Sequence, residues 1–266
     1  MPRTLQTSSL LVVAFLLSAT GAKAQLSPAT WGESIMLVGR ISNQVWSGSD
    51  ATSPEAHAEQ LGNLKGTLSY GPPGPPTIIA HEEVSVNTNG YQGTTNGNVI
   101  FEFRIVETSA PPVPVSTIPV IAAAAGHVQA AGTGCIDYIF CSQANASVHF
   151  AVWTLDHSYI DSNQSTTSGQ KDVYMEKIID AAVNQVFNAT ISTHAYVSLA
   201  VSAITLNATA EAHPAIAVSG GIIPGTESRY SDFYTIEFSP GYWALGNPTP
   251  VQPSTWGKMK SHYLQH

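Results

Sequence analysis

The stretch from Phe187 to Ala203, FNATISTHAYVSLAVSA, constrains this chain more than any other. Phe187, Ala189, Ile191, Ala195, Val197, Leu199, Val201 and Ala203 fall on one parity. Asn188, Thr190, Ser192, His194, Ser198 and Ser202 fall on the other. Successive side chains of a strand point to opposite faces, so the pattern predicts a long strand with one buried face. The parity then reverses: Leu206, Ala208, Ala210 and Ala212 take the apolar side, which requires a bulge or a turn near Ile204.

The same period recurs along the chain. NVIFEFRIV sets Val99, Phe101, Phe103 and Ile105 against Asn98, Glu102 and Arg104, and SVHFAVWTL sets Val148, Phe150 and Val152 on one face. SIMLVGRI, GTLSY, TIIAHEEVSV, STIPVIAAAAG, AIAVSG and RYSDFYTIEF are further strands. DVYMEKIIDAAVNQVF is rich in Val and Ile and lies between strands, so it too reads as mostly strand. Asn89-Gly90 and Asn96-Gly97 are turn dipeptides. GPPGPP (71–76) and APPVPV (110–115) are too short to link independent domains and read as stiff loops. Many short strands punctuated by turns predict an all-β protein, an antiparallel β-sandwich or jelly roll with little helix.

The first residues, MPRTLQTSSLLVVAFLLSATGAKAQ, combine a basic start, an apolar run and the small-x-small site Ala22-Lys23-Ala24. That is the grammar of a cleaved secretory signal over residues 1–24, and the apolar run is short of the ~20 residues that span a bilayer. The expectation is one sandwich domain over 25–246, a Pro-rich, poorly ordered tail over 247–266, and no membrane span after cleavage. Removing residues 1–24 takes away Arg3 and Lys23 and no acid, leaving 8 basic against 18 acidic side chains, a net of −10. An acidic chain of this kind is a poor partner for nucleic acid or an anionic membrane. Export places the protein outside the cell or at its surface, with the periplasm as the other destination. There the two cysteines, Cys135 and Cys141, are expected to pair. Their spacing fits neither a Cys-x-x-Cys redox site nor a four-ligand zinc site. Bridging them would require the chain to fold back within IDYIF, because a bridge needs Cα atoms within about 7 Å.

The layout is similar to that of a known group. AHAEQLGNL precedes a strand with acidic residues, AHEEVSV; FEFRIVETSAPPVPVSTIPV follows; and VFNATISTHAYVSLAVSAITLNATAEAHPAIAVS runs on to SPGYWAL. Over roughly residues 50–245 this resembles the β-sandwich domain of bacterial exported proteins that carry a PEP-CTERM sorting tail. The resemblance implies a fold and a location, and no reaction. The sorting signature itself, Val-Pro-Glu-Pro followed by an apolar helix and a basic end, is not written here.

Candidate chemistry is sparse. No Gly-x-Ser-x-Gly elbow, His-Glu-x-x-His pair or phosphate-binding glycine loop occurs. Glu82 shares the parity of Ile78, Ala80 and Val84, which would bury a carboxylate; a bulge at His81–Glu83 is the simpler expectation. DSNQSTTSGQKD (161–172) spaces Asp161, Asn163 and Asp172 as a calcium loop spaces its ligands. It lacks the turn glycine, so a plain polar connection with no metal or other cofactor is expected. Trp153 and Tyr196 lie on outward parities, and Tyr242 and Trp243 fall in a turn; these four are the candidates for stacking on sugar rings. The reading that follows is a secreted or cell-surface, non-enzymatic structural or adhesive protein whose partners are carbohydrate or other extracellular proteins. A carbohydrate-binding module is the alternative, and a hydrolase with a loop-assembled site is the second alternative.

Overall fold

A computed structural model describes residues 25–38, 42–49, 57–61, 64–70, 77–84, 91–132, 134–136, 140–199 and 205–242. Residues 1–24, the loop 71–76, Asn89-Gly90, Trp243 and the tail lie outside the described residues. The alternating segments become strands: β1 (Thr30–Val38), β2 (Ser42–Ser49), β3 (His57–Leu61), β4 (Leu64–Tyr70), β5 (Ile78–Val84), β6 (Tyr91–Glu107) and β7 (Ile118–Ala131). They continue as β8 (Gly134–Ile136), β9 (Phe140–Trp153), β10 (Ser158–Thr166), β11 (Gly169–Ala181), β12 (Val186–Leu199), β13 (Leu206–Val218) and β14 (Tyr234–Phe238). A single 3-10 turn, Tyr230–Asp232, is the helical content of the described residues. The all-β architecture expected from the alternation is the one observed.

Two antiparallel sheets face each other. The larger runs β10-β9-β12-β6-β1-β2, with β8 paired to β9; the smaller runs β11-β7-β13-β5-β4-β3. Beside β6, β1 occupies the Gln92–Ile100 stretch and β14 the Phe103–Glu107 stretch. Across the core, β9 lies on β7 and β13, β12 on β13 and β5, and β6 on β5 and β4. The parity reversal near Ile204 marks a change of sheet: β12 ends in the larger sheet at Leu199 and β13 starts in the smaller at Leu206. Each strand keeps its own apolar side inward, so both sets of residues meet in one core.

The core is unequal along its length. At one end aromatic rings pack together: Phe103 on Phe187 at 5.0 Å, Phe238 on Tyr242 at 4.3 Å, and Phe101 on Tyr242 at 4.4 Å. Arg104, buried beside them, binds Glu237 through Nε and a terminal nitrogen at 2.9 and 3.0 Å, and this two-pronged pair ties β14 to β6. At the other end the inward residues are small: Gly66, Gly93, Thr95, Ala130, Ala146, Ala195 and Ala208.

Asn96-Gly97, expected as a turn, lies in the middle of β6. Pairing with β12 on one side and β1 on the other holds it extended. Gly97 faces inward, where a Cβ would stand 2.6 Å from Ile78 Cγ2 and 2.8 Å from Leu68 Cδ1. The glycine therefore serves close sheet packing, and the turn preference of the dipeptide is overridden by two ladders. Gly97→Val should destabilise the fold by about 1–3 kcal/mol, through overpacking of a full site. Gly220→Ala, where a Cβ meets nothing within 4 Å, should stay within about 0.5 kcal/mol. Urea midpoints of the two variants check the contrast.

Candidate functional site

The outward face of the larger sheet carries mostly uncharged polar groups, with the carboxylate of Asp161 at its β10 edge and Met36 and Ile100 exposed among them. Strand pairing sets its residues in ranks across β10, β9, β12, β6 and β1. One rank is Asn163, His149, Ser192, Asn98 and Gly32; the next is Ser165, Ser147, His194, Asn96 and Ser34. Alternation forces these side chains out, because their neighbours Val148, Phe150, Ile191, Ala195 and Val99 fill the core. The groups are linked laterally. His194 Nδ1 lies 2.6 Å from Asn96 Oδ1, Asn96 Nδ2 donates to Ser34 Oγ at 3.1 Å, and His149 Nε2 lies 2.7 Å from Asp161 Oδ1. Burial holds the His194 imidazole below its usual proton affinity, so the ring is mostly neutral near pH 7.

Of the four aromatic candidates, the structure places two on this face. Tyr196 is half-buried and lies parallel to His194, ring centres 6.4 Å apart; Trp153 is half-buried at the end of β9, opposite Asn188. Tyr242 is not a surface residue. It is 1% exposed, wedged between Phe101 and Phe238 in the core, and burial raises its phenol proton affinity. The turn at residues 240–242 points the ring inward, so it cannot stack on a ligand; Trp243 lies outside the described residues.

The 161–172 segment, expected as a plain polar connection with calcium-like spacing, is mostly strand. Residues 161–166 and 169–172 are strand, and only 167–168 connect them. Asp161 and Asn163 stand on the outer face of the larger sheet, while Asp172 stands on the outer face of the smaller sheet, 3.1 Å from His127 Nδ1. Oxygen ligands turned to opposite sides of a sandwich cannot share an ion.

The smaller sheet's outer face differs in kind. It carries acid–imidazole pairs: Asp172 with His127, and Glu211 with His213 at 2.8 Å, His213 also meeting Thr77 at 2.8 Å. The hydrogen bond from His213 holds the Glu211 carboxyl below its ordinary range. His81 contacts Thr209 Oγ1 at 2.8 Å, and desolvation lowers its proton affinity.

Glu82 lies inside the protein. The β5 register runs unbroken against β4 and β13, with no bulge at His81–Glu83, and the alternation carries Glu82 fully into the core. Thr95 donates its hydroxyl to Glu82 Oε1, and Oε2 has no partner in the structure. Two glycines make the room: a Cβ on Gly66 would collide with Oε1, and one on Gly93 with Oε2. Desolvation pushes the carboxyl up to about 8, against the smaller downward pull of the Thr95 bond. The residue is therefore mostly a neutral acid near pH 7. Parity in TIIAHEEVSV carried this signal; the matching inward glycines of β4 and β6 were the part the sequence reading did not connect.

No protein-family model matches the chain, and a comparison with curated proteins returns no match. What the fold and the surface define is an all-β sandwich with one mostly polar sheet face.

The buried acid sets a pH dependence. Below about pH 4.5, the ordinary carboxyl value, folded and unfolded chains both hold the proton and the titration of Glu82 does not change stability. Between there and about 8 the unfolded chain releases it while the folded chain keeps it. Stability then falls by about 1.4 kcal/mol per pH unit, and the loss is complete above that window. Glu82→Gln removes the titration. The melting temperature of the variant relative to the parent should climb by several degrees from pH 5 to pH 8; a constant difference would refute the assignment.

Proposed function

We propose that this chain is an exported, non-enzymatic structural or adhesive component that makes its contacts through the outer face of the larger sheet. The observation that carries this reading is that face's composition. On an acidic chain its two central ranks are amides, hydroxyls and imidazoles, with Asp161 at the β10 edge, all set in register by strand pairing. Strand spacing repeats donors and acceptors every ~4.8 Å across the face. Docking on those two ranks takes no carboxylate or ammonium group of their own out of water, which keeps the desolvation cost low. Tyr196 and Trp153 on the same face favour carbohydrate as the contact partner over a second protein, since an aromatic ring beside polar edges suits a sugar. A hydrolase has less support: Asp156 and His157 sit on an exposed turn, where His157 packs edge-on against Tyr159 at 4.6 Å.

The export reading rests on the signal-like residues 1–24, and among the described residues no helix is long and apolar enough to cross a membrane. It also predicts the cysteine bridge. The β8–β9 pairing sets Cys135 directly opposite Cys141, and opposed residues of an antiparallel pair have Cα atoms about 4.5–5.5 Å apart, inside the range a disulfide spans.

Two measurements test the proposal. Paired substitution Ser192→Glu with Asn98→Glu puts adjacent like charges on the face without touching the core. Retention of the exported protein on the surface or matrix of the producing cells should fall at least several-fold, and unchanged retention would refute the face. Turnover of polysaccharide, ester or peptide substrates by the parent would refute the non-enzymatic reading. For the cysteines, unreduced exported protein should take up no alkylating label and reduced protein two. Labelling without reduction would show two free thiols.

A further inference from the structure

We propose that the open edge of β10 binds a second copy of this chain, joining two larger sheets into one through an antiparallel β10–β10 pair. The contact lies at the side of the sandwich and does not rest on the role given above to the larger sheet's outer face. β10 ends that sheet: β9 takes one side of it, and no strand among the described residues takes the other. An open edge presents a row of backbone N–H and C=O groups, and native edges are normally guarded by charge, proline or shortness.

Other edges carry such guards. β11, which ends the smaller sheet, carries Lys171, Asp172, Glu176, Lys177 and Asp180. β3 and β14 are five residues long. β10 has nine residues, SYIDSNQST, with no lysine, arginine or proline and a single acid, Asp161. The 2.7 Å contact with His149 of β9 draws that acid over its own sheet, away from the open side. β2, SNQVWSGS, is another long uncharged edge, at the far end of the same sheet. A β10–β2 contact would leave an open edge at each end of any assembly and run on as a filament, whereas β10 against itself closes as a dimer.

What selects β10 is that its sequence matches itself about Asn163. Its regular pairing with β9 runs from Ile160 to Thr166 and stops at an irregularity between Ser158 and Ile160, so the straight part of the strand is centred on Asn163. A two-fold axis there sets Asn163 against the second copy's Asn163, Asp161 against its Ser165, Ser162 against its Gln164 and Ile160 against its Thr166. Opposed residues of an antiparallel pair share a face and touch. The two Asn163 amides exchange N–H···O bonds, the Ser165 hydroxyl donates to the Asp161 carboxylate, and the two Asp161 side chains do not meet. A register centred on Asp161 would put like charges directly opposite and is disfavoured. The axis stands perpendicular to the joined sheet, so both outer faces point the same way. A single strand pair is a small contact beside the ~1,600 Å² of a standard complex, so the dimer is reversible.

The test is sedimentation velocity of the full exported protein over a wide range of concentration. The parent should pass reversibly from monomer to dimer, with a midpoint in the micromolar range. Asn163→Lys sets two ammonium groups against each other at the axis and should weaken dimerisation at least tenfold. Ser192→Glu with Asn98→Glu, which alters the face away from this edge, should leave it unchanged. Under mild oxidation Asn163→Cys should give a covalent dimer that reductant releases, while Ser165→Cys, placed opposite Asp161, should give little. Circular dichroism and melting temperature confirm that each variant is folded. A parent that stays monomeric at its solubility limit, species that grow beyond a dimer, an undiminished dimer in Asn163→Lys, loss of the dimer in the face variant, or equal cross-linking at the two cysteine positions would each overturn the assignment.

Discussion

The approach of the two sheets along β6 is the constraint on which the rest of the structure depends. This strand is paired on both sides for nearly its whole length, so its inward residues set how far the smaller sheet must stand off. Where they are Phe101 and Phe103, rings from β12, β14 and the following turn fill a wide core. Where they are Gly93, Thr95 and Gly97, β4 and β5 come close enough for Leu68, Ile78 and Glu82 to occupy the space that side chains would have taken. Fully burying one such apolar side chain contributes roughly 1.5–3 kcal/mol, so the taper of the core follows directly from which residues alternate inward on one strand.

Glu82 belongs to that narrow end, and its surroundings explain why the core accepts it. An ionised carboxylate would need partners that the glycine-lined space does not provide. A protonated one needs far less solvation than an ion and takes a bond from Thr95, while its second oxygen stays unpaired at a smaller cost. The outer face of the larger sheet follows the opposite logic. Its polar groups stand at the surface, several of them bonded to one another, so they carry little penalty to folding. The same alternation that drives Ile191, Ala195 and Val197 inward therefore lays out Ser192, His194 and Tyr196 for contact.

The strands were legible in the sequence wherever one face is wet, because period-two alternation is a direct record of burial. β12, β13, β9 and the second half of β6 are of this kind. The first half of β6 was not legible. Asn96-Gly97 has the local chemistry of a turn, and only partners drawn from residues 30–38 and 186–199 hold it extended. The aromatic candidates were separated the same way. Parity placed Trp153 and Tyr196 outward, but Tyr242 follows a turn, where parity says nothing about direction. The placing of β10 and β11 at the edges of different sheets could not be read at all, since only residues 167–168 separate them in sequence.

The pairing of β6 also governs the order of events during synthesis. Thr30 pairs with Ile100, Val186 with Arg104 and Tyr234 with Glu107. When β6 emerges, only β1 is present to pair with it. Its other ladder waits some eighty residues for β12, and the Arg104–Glu237 clamp waits for nearly the last of the described residues. Contacts this distant in sequence make folding slow. A chain that cannot close its core until β14 has been made stays open through most of its own synthesis.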